Sequence, residues 1–370
     1  MKRLLILLFV ALVRPLVACA DSLMSISDLR AQVEASGGRW AQTYTSVRGE
    51  TISVDVALNV PDVEAFPVLK TSWMPKLPDQ LVDDYGPNGI NRTEPRWYAY
   101  IDRYGFVTVD HDWDFTLGKG EAGRGKEFSY PGELLPLDNL DWNGAYAFNN
   151  DLQVGEAYAF MKQIIQECYT RYGYEFYEPE LMYIMTADPP LCNGVPIREK
   201  GAYTFNCYVV FHGIPLILSE GQGCNKVNPW YTLKIQSKDS YAFTGILHRE
   251  IEMLHEDVPL LSFEAIKPVY DEMITSGLLR EVFDVRLGYI AIYENGKIEN
   301  EVFRLIPCWV LYGEYHDSVK DGEDLSKTET SDYYTRAKTK SIVVNAQTGK
   351  LIPHDASNKE NRKQFDIKTW

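Results

Sequence analysis

The sequence predicts an α+β fold: an N-terminal mixed α+β domain followed by a duplicated helix-plus-antiparallel-sheet domain. Three observations lead there. Strict apolar–polar alternation recurs along the chain, most cleanly at Ile52, Val54, Val56 and Leu58, and marks half-buried strands. Two segments switch to helical spacing: Val154, Tyr158, Met161, Ile165, Cys168 and Tyr172, then Phe263, Ile266, Tyr270, Met273 and Ile274. Several strand-like runs follow each helix, so the same unit is expected twice in roughly 200 residues.

The first 18 residues stand apart from this body. Lys2 and Arg3 precede ten apolar residues, 4–13, in the layout of an export signal. That run is too short to span a bilayer, which takes about 20 residues. Leu16-Val17-Ala18-Cys19 ends it and resembles the lipobox of bacterial lipoproteins. The resemblance implies that Cys19 is lipidated on sulfur and becomes the new N-terminus. Ordinary cleavage after Ala20 stays open, because Ala18-Cys19-Ala20 is also an A-x-A site. On the lipoprotein reading, 1–18 is the signal and 19–25 a short tether. The body then sits on the outer face of the cytoplasmic membrane.

Composition narrows the partners. Hydrophobic content of 45% and charged content of 24% are those of a folded globular chain. Net charge is −15, and losing Lys2, Arg3 and Arg14 with the signal takes it to −18. So acidic a body repels phosphate backbones and anionic headgroups, which argues against nucleic acid and leaves membrane attachment to the lipid. Of the six cysteines, Cys168, Cys207 and Cys308 fall on apolar faces and read as small buried hydrophobes. Cys192 and Cys224 flank a hairpin and could bridge, although spacing fixes neither distance nor orientation.

In chain order, a helix is expected over 26–34, ending at Gly37-Gly38, and a strand over 51–60, stopped by Pro61. Residues 66–73 read as that strand's neighbour and 79–85 as a short helix. A hairpin over 96–102 and 106–115 turns at Arg103-Tyr104-Gly105. The stretch 116–150, rich in Gly, Pro, Asn and Asp, reads mostly as loop. It places a boundary between domains 26–149 and 150–354. Asn150-x-x-Gln153 can form a capping box for the first long helix. Strands are expected at 181–186, 203–212, 229–235 and 241–252. Ser262 caps the second helix and Gly277 ends it, with Pro268 predicting a kink or a late start. Strands at 282–293, 302–312 and 340–346 follow, then a polar tail, 355–370.

Leu305-Ile306-Pro307-Cys308-Trp309-Val310, followed by Ile342-Val343-Val344-Asn345-Ala346-Gln347-Thr348-Gly349-Lys350, resembles the end of the YycH/YycI type of extracytoplasmic regulatory domain (YycI/PepSY-like). Tyr208 to Pro215 and Pro259 to Glu264 fit the same pattern. The stretch 51–61 resembles the opening of clostridial extracytoplasmic lipoproteins of unknown function. The resemblance covers about 150–352 and implies a non-enzymatic sensory or regulatory role with an envelope protein as partner. It supplies no catalytic residue.

Few motifs carry chemistry. Asp110, Asp112 and Asp114, with Thr116 and Glu121, place oxygens at positions 1, 3, 5, 7 and 12 of a calcium loop, yet Phe115 stands where the turn needs Gly. The plainer reading is a strand with three carboxylates on its solvent face. Gly118 to Gly123 matches G-x-G-x-x-G, but no helix start follows to meet a phosphate, so it reads as flexible loop. No cofactor is implied. His248, Glu250 and Glu252 share one strand face without the His spacing of a zinc protease. Aromatic residues, 13% of the chain, read mainly as core, with an exposed cleft for sugar or peptide as the alternative.

Overall fold

The computed structural model describes residues 23–73, 97–99, 106–109, 115–119, 130–171, 178–188, 191–192, 195–196, 200–219, 230–245, 248–277, 279–293, 302–315 and 339–352. The described chain opens with β1 (Leu23–Met24), α1 (Ile26–Ala35), β2 (Arg39–Thr45), β3 (Thr51–Asn59) and β4 (Val68–Trp73). Next come β5 (Trp97–Ala99), β6 (Phe106–Val109), β7 (Phe115–Lys119), β8 (Tyr130–Leu135) and α2 (Val154–Arg171). A run of strands follows: β9 (Glu180–Asp188), β10 (Leu191–Cys192), β11 (Val195–Pro196), β12 (Ala202–Tyr208), β13 (Val210–Phe211) and β14 (Ile214–Ser219). Then β15 (Trp230–Ser237), β16 (Ser240–Gly245), β17 (His248–His255) and β18 (Leu260–Leu261) lead into α3 (Phe263–Thr275). The long strands β19 (Leu279–Tyr293) and β20 (Val302–Tyr315), then β21 (Thr339–Asn345) and β22 (Leu351–Ile352), complete it.

Two large sheets hold most of these strands. One runs β5-β6-β7-β16-β15-β12-β9-β8. The other runs β13-β14-β19-β20-β21-β22, with β3 also on β19, β2 on β3, β4 on β20 and β17 on β4. β1 and β18 form a separate antiparallel ribbon, as do β10 and β11. The architecture is therefore mostly β, and it corrects the expected duplicated helix-plus-antiparallel-sheet domain. Strands from both sides of residue 149 interleave: β7 pairs β16, β8 pairs β9, β4 pairs β17 and β20, and β3 lies parallel to β19. Alternation reveals which face of a strand is buried but not which strand lies beside it, and that gap produced the error.

Smaller corrections have the same origin. The expected strand 241–252 is two, β16 and β17, in different sheets. β4 does not neighbour β3; β2 does, from Arg39↔Ala57 to Thr45↔Thr51. Gly118 and Lys119 lie in β7 rather than in a loop, each paired to β16. Asn150 does not cap α2: its Oδ1 accepts from Leu152 N at 3.0 Å, and Gln153 O takes the first helical bond, from Ala157 N.

The local readings that rest on periodicity hold at β3 and α3, whereas the expected strand 106–115 is two, β6 and β7, paired antiparallel with Val109↔Phe115. β3 buries Ile52, Val54, Val56 and Leu58 and exposes the residues between them. α3 begins at Phe263, capped by Ser262, whose Oγ accepts from Ala265 N at 3.2 Å, and runs through Pro268. Gly277, at φ +73°, ends it in a conformation that side chains with a Cβ resist. One correspondence was missed. Leu23-Met24-Ser25-Ile26 and Leu260-Leu261-Ser262-Phe263 are both a short strand, a serine cap and a buried first helical residue. The two copies pair with each other, Leu23↔Leu261 and Met24↔Leu260.

β19 and β20 form the backbone of the ten-stranded sheet, paired from Leu279↔Tyr315 to Tyr293↔Phe303. On one flank β14 approaches so closely that a Cβ at Gly288 would meet Ile217 Cδ1 at 2.4 Å and Pro215 O at 2.7 Å. Trp40 packs on Phe263 and Tyr270, with centroids 5.4 and 6.3 Å away, and so binds β2 to α3.

Candidate functional site

Most residues singled out from the sequence fall outside the described part. Cys19 precedes it, and Asp110, Asp112 and Asp114 lie between the end of β6 and the start of β7, also outside it. Cys224 is outside as well, and only the backbone of Cys192 is described, in β10, so the Cys192–Cys224 pairing falls outside too. His248, Glu250 and Glu252 are all on β17, but its register slips between Glu250 and Glu252, so simple alternation does not carry through the three. Cys207 and Cys308 are buried free thiols, as expected. Among the described residues no group of three or more His, Cys, Asp or Glu side chains could hold a metal ion.

A surface feature emerges instead between β8 and α2. Trp142 is 38% exposed, Tyr146 41% and Phe148 42%, within a segment of seven residues. Such rings in water are costly, at roughly 25 cal/mol for each Å² left unburied. The segment has no regular structure, yet it is tightly held. The buried Tyr203 hydroxyl accepts from Tyr146 N at 2.7 Å and Ala147 N at 3.3 Å, and donates to Leu152 O at 2.9 Å. Asn150 Nδ2 donates to Gly201 O and Gln236 O, at 2.9 and 2.8 Å. Gly201 N donates back to Phe148 O, and Gly155 N to Trp142 O at 2.9 Å. Gly144 lies under the Tyr146 ring, where a Cβ would come within 2.8 Å of the aromatic carbons.

The rings also connect inward. Trp142 meets Tyr158 of α2 at 5.5 Å, and Tyr158 stacks on Phe205 of β12 at 5.8 Å. Lys162 lies 5.2 Å from the Tyr158 ring and pairs with Glu178 at 2.7 Å. A preformed aromatic surface of this kind suits recognition of an apolar, aromatic or sugar face rather than bond-making chemistry.

Tyr203 gives a direct check on this anchoring. Tyr203→Phe removes one oxygen and leaves two amides and a carbonyl of the loop without that partner. A loss of about 2 kcal/mol is expected, with faster hydrogen exchange at the Tyr146 and Ala147 amides. Unchanged exchange at those two amides would mean that the loop is held by other contacts.

A second polar group joins the two sheets. Arg286 on β19 donates to Asp284 Oδ2 at 2.6 Å and to Glu180 Oε1 of β9 at 3.0 Å, and its guanidinium lies 4.9 Å from the Tyr208 ring of β12. Asn59 Nδ2 of β3 donates to the other Asp284 oxygen at 2.7 Å. Burial alone would lower the Arg286 pKa, but Tyr208, Asp284 and Glu180 outweigh it and raise the pKa. Burial pushes the Tyr208 phenol up to about 12, against the pull of Arg286. With Arg286 bonded at once to Asp284 of its own sheet and to Glu180 of the other, the group is a structural clamp. Sequence spacing gave no sign of it, since its members come from β3, β9, β12 and β19.

No protein-family model matches the chain, and no curated protein matches it either. Among solved structures it is similar to an uncharacterised protein from Eubacterium rectale, at 15% identity and a TM-score of 0.53. That match covers 88% of this chain and 98% of the other, which shows a common fold over nearly the whole of both. It is also distantly similar to YycH from Bacillus subtilis, at 9% identity and a TM-score of 0.31, covering 77% of this chain and 58% of that one. So low a score carries no argument about function.

Proposed function

We propose that this is a lipid-anchored extracytoplasmic protein with a non-enzymatic sensory or regulatory role, acting by binding an envelope protein through the surface formed by Trp142, Tyr146 and Phe148. The observation that carries this reading is the ordering of that surface. Three large rings are held in solvent by a dense set of hydrogen bonds, and such preorganisation lowers the entropic cost of binding. Support from the sequence is the Leu16 to Cys19 lipobox and an acidic body that lipid, not charge, must keep at a membrane.

A photo-crosslinking amino acid at position 146, in cells producing the full chain, tests it. The expected result is a crosslinked envelope protein that the same group at position 34, on the exposed side of α1, does not yield. No protein adduct specific to position 146 would overturn it. A second reading draws on the same rings: they stack on a sugar or peptide captured from outside the cell. Quenching of Trp142 fluorescence by an oligosaccharide or peptide, without a protein adduct, would favour that reading.

A further inference from the structure

We infer that the β1–β18 ribbon is the pole of the molecule that lies against the outer leaflet, so that the anchor sets orientation as well as location. The inference rests on the reading of Cys19 as the lipidated residue. Only Ala20, Asp21 and Ser22 separate Cys19 from Leu23, the first residue of β1. Four Cα steps reach at most about 14 Å. The expected tether of 19–25 is thus shorter in the fold, because Leu23 and Met24 are already paired to Leu261 and Leu260.

The end of this tether is fixed to the core and is not a swinging arm. Leu261 N donates to Ala346 O at 2.6 Å, and Trp309 Nε1 donates to Leu261 O at 3.2 Å. On the β1 side, Ser25 caps α1, whose Ile26 and Leu29 are fully buried. A body held this way keeps the ribbon within about 14 Å of the lipidated residue. Leu23, 40% exposed, and the exposed Pro259 therefore stay near the headgroups. Asp28, Glu256 and Asp257 are exposed nearby, so charge adds no attraction to anionic lipid and the tether alone keeps the pole in place.

The aromatic loop lies elsewhere. It is bound to the Gly201 end of β12, and that strand runs about 20 Å before Tyr208 meets Arg286 of the ten-stranded sheet. The ribbon packs on the ten-stranded sheet itself, through Trp309 and Ala346. An outer-leaflet contact at the ribbon therefore leaves Trp142, Tyr146 and Phe148 free of the bilayer and open to a partner.

The test uses the full-length acylated protein in phosphatidylcholine vesicles that carry a headgroup-linked energy acceptor. A genetically encoded fluorescent amino acid is placed at position 259 or, in a second preparation, at position 146. Transfer from position 259 is expected to be at least twofold more efficient. Inserting a flexible Gly/Ser spacer of about thirty residues after Ser22 should abolish the difference, because orientation then relaxes. Equal or greater transfer from position 146, with lipid on Cys19 confirmed by mass spectrometry, overturns the orientation and leaves the anchor standing. An unmodified Cys19 in the native protein overturns the anchor itself.

Discussion

Raising the pH above about 10 is expected to unfold this protein cooperatively, with loss of near-ultraviolet circular dichroism and a coincident rise in tyrosinate absorbance. The phenols of Tyr44, Tyr208 and Tyr270 and the thiols of Cys207 and Cys308 are all buried. Burial raises the pKa of every one of them, that of Tyr208 to about 12, and Asp271 adds to the shift at Tyr44. Each is an acid whose folded pKa exceeds its unfolded value. Once pH passes about 8.5 for a thiol and about 10 for a phenol, the unfolded chain binds fewer protons than the native state. Stability is therefore full below those values and falls as pH rises toward the folded pKa.

The size of the effect decides the outcome. Each group contributes a slope of roughly 1.4 kcal/mol per pH unit above its unfolded pKa. By pH 11 the two thiols and the deeply enclosed phenols of Tyr208 and Tyr270 together remove about 10 kcal/mol, comparable with the roughly 5–15 kcal/mol that holds a domain folded. Exposed tyrosines titrate near pH 10 in any case, so the informative fraction is the one that ionises only as the fold is lost. Smooth ionisation of all phenols, with circular dichroism intact through pH 11, would show that these groups are not sealed from water.

What the sequence disclosed follows from range. Contacts within one element are written in its periodicity. The helix start at Ser262, the stop at Gly277 and the alternation of Ile52 to Leu58 were all legible. Contacts between elements were not. Arg286 looks like one charged residue in a strand until the fold brings Glu180 and Tyr208 to it. The aromatic surface was hidden for another reason: Trp142, Tyr146 and Phe148 sit in a Gly- and Asn-rich stretch that reads as loop. Exposure there depends on Tyr203, over fifty residues later, whose hydroxyl fixes the backbone. A usable signal did exist. Three large aromatics in seven residues, interrupted by the Asn143-Gly144 turn signal, are hard to bury from a single element.

Trp309→Ala should be the most damaging single substitution in the ten-stranded sheet, removing about 5 kcal/mol of stability. Trp309 is fully buried on β20, opposite Leu287 of β19 and Val344 of β21. Its ring meets Phe263 of α3 at 5.5 Å, and its own carbonyl accepts the Tyr270 hydroxyl at 2.9 Å. Emptying such a site costs about 3–5 kcal/mol in lost burial and cavity, and leaving the Leu261 carbonyl without its indole partner adds about 1 kcal/mol or more. Trp309→Phe bears mainly on the indole bond, because it keeps the larger part of the aromatic volume while removing the N–H together with the five-membered ring; a cost of about 2 kcal/mol is expected. Urea denaturation measures both. The location matters as much as the magnitude. Leu261 belongs to the strand that receives β1, so the indole bond reaches the point where the anchor meets the fold. In Trp309→Phe, amide exchange should therefore rise at Met24 and Leu261 before it rises in β19. If Trp309→Ala cost under 2 kcal/mol, or exchange at the ribbon stayed unchanged in Trp309→Phe, the ribbon would be held by contacts other than this side chain.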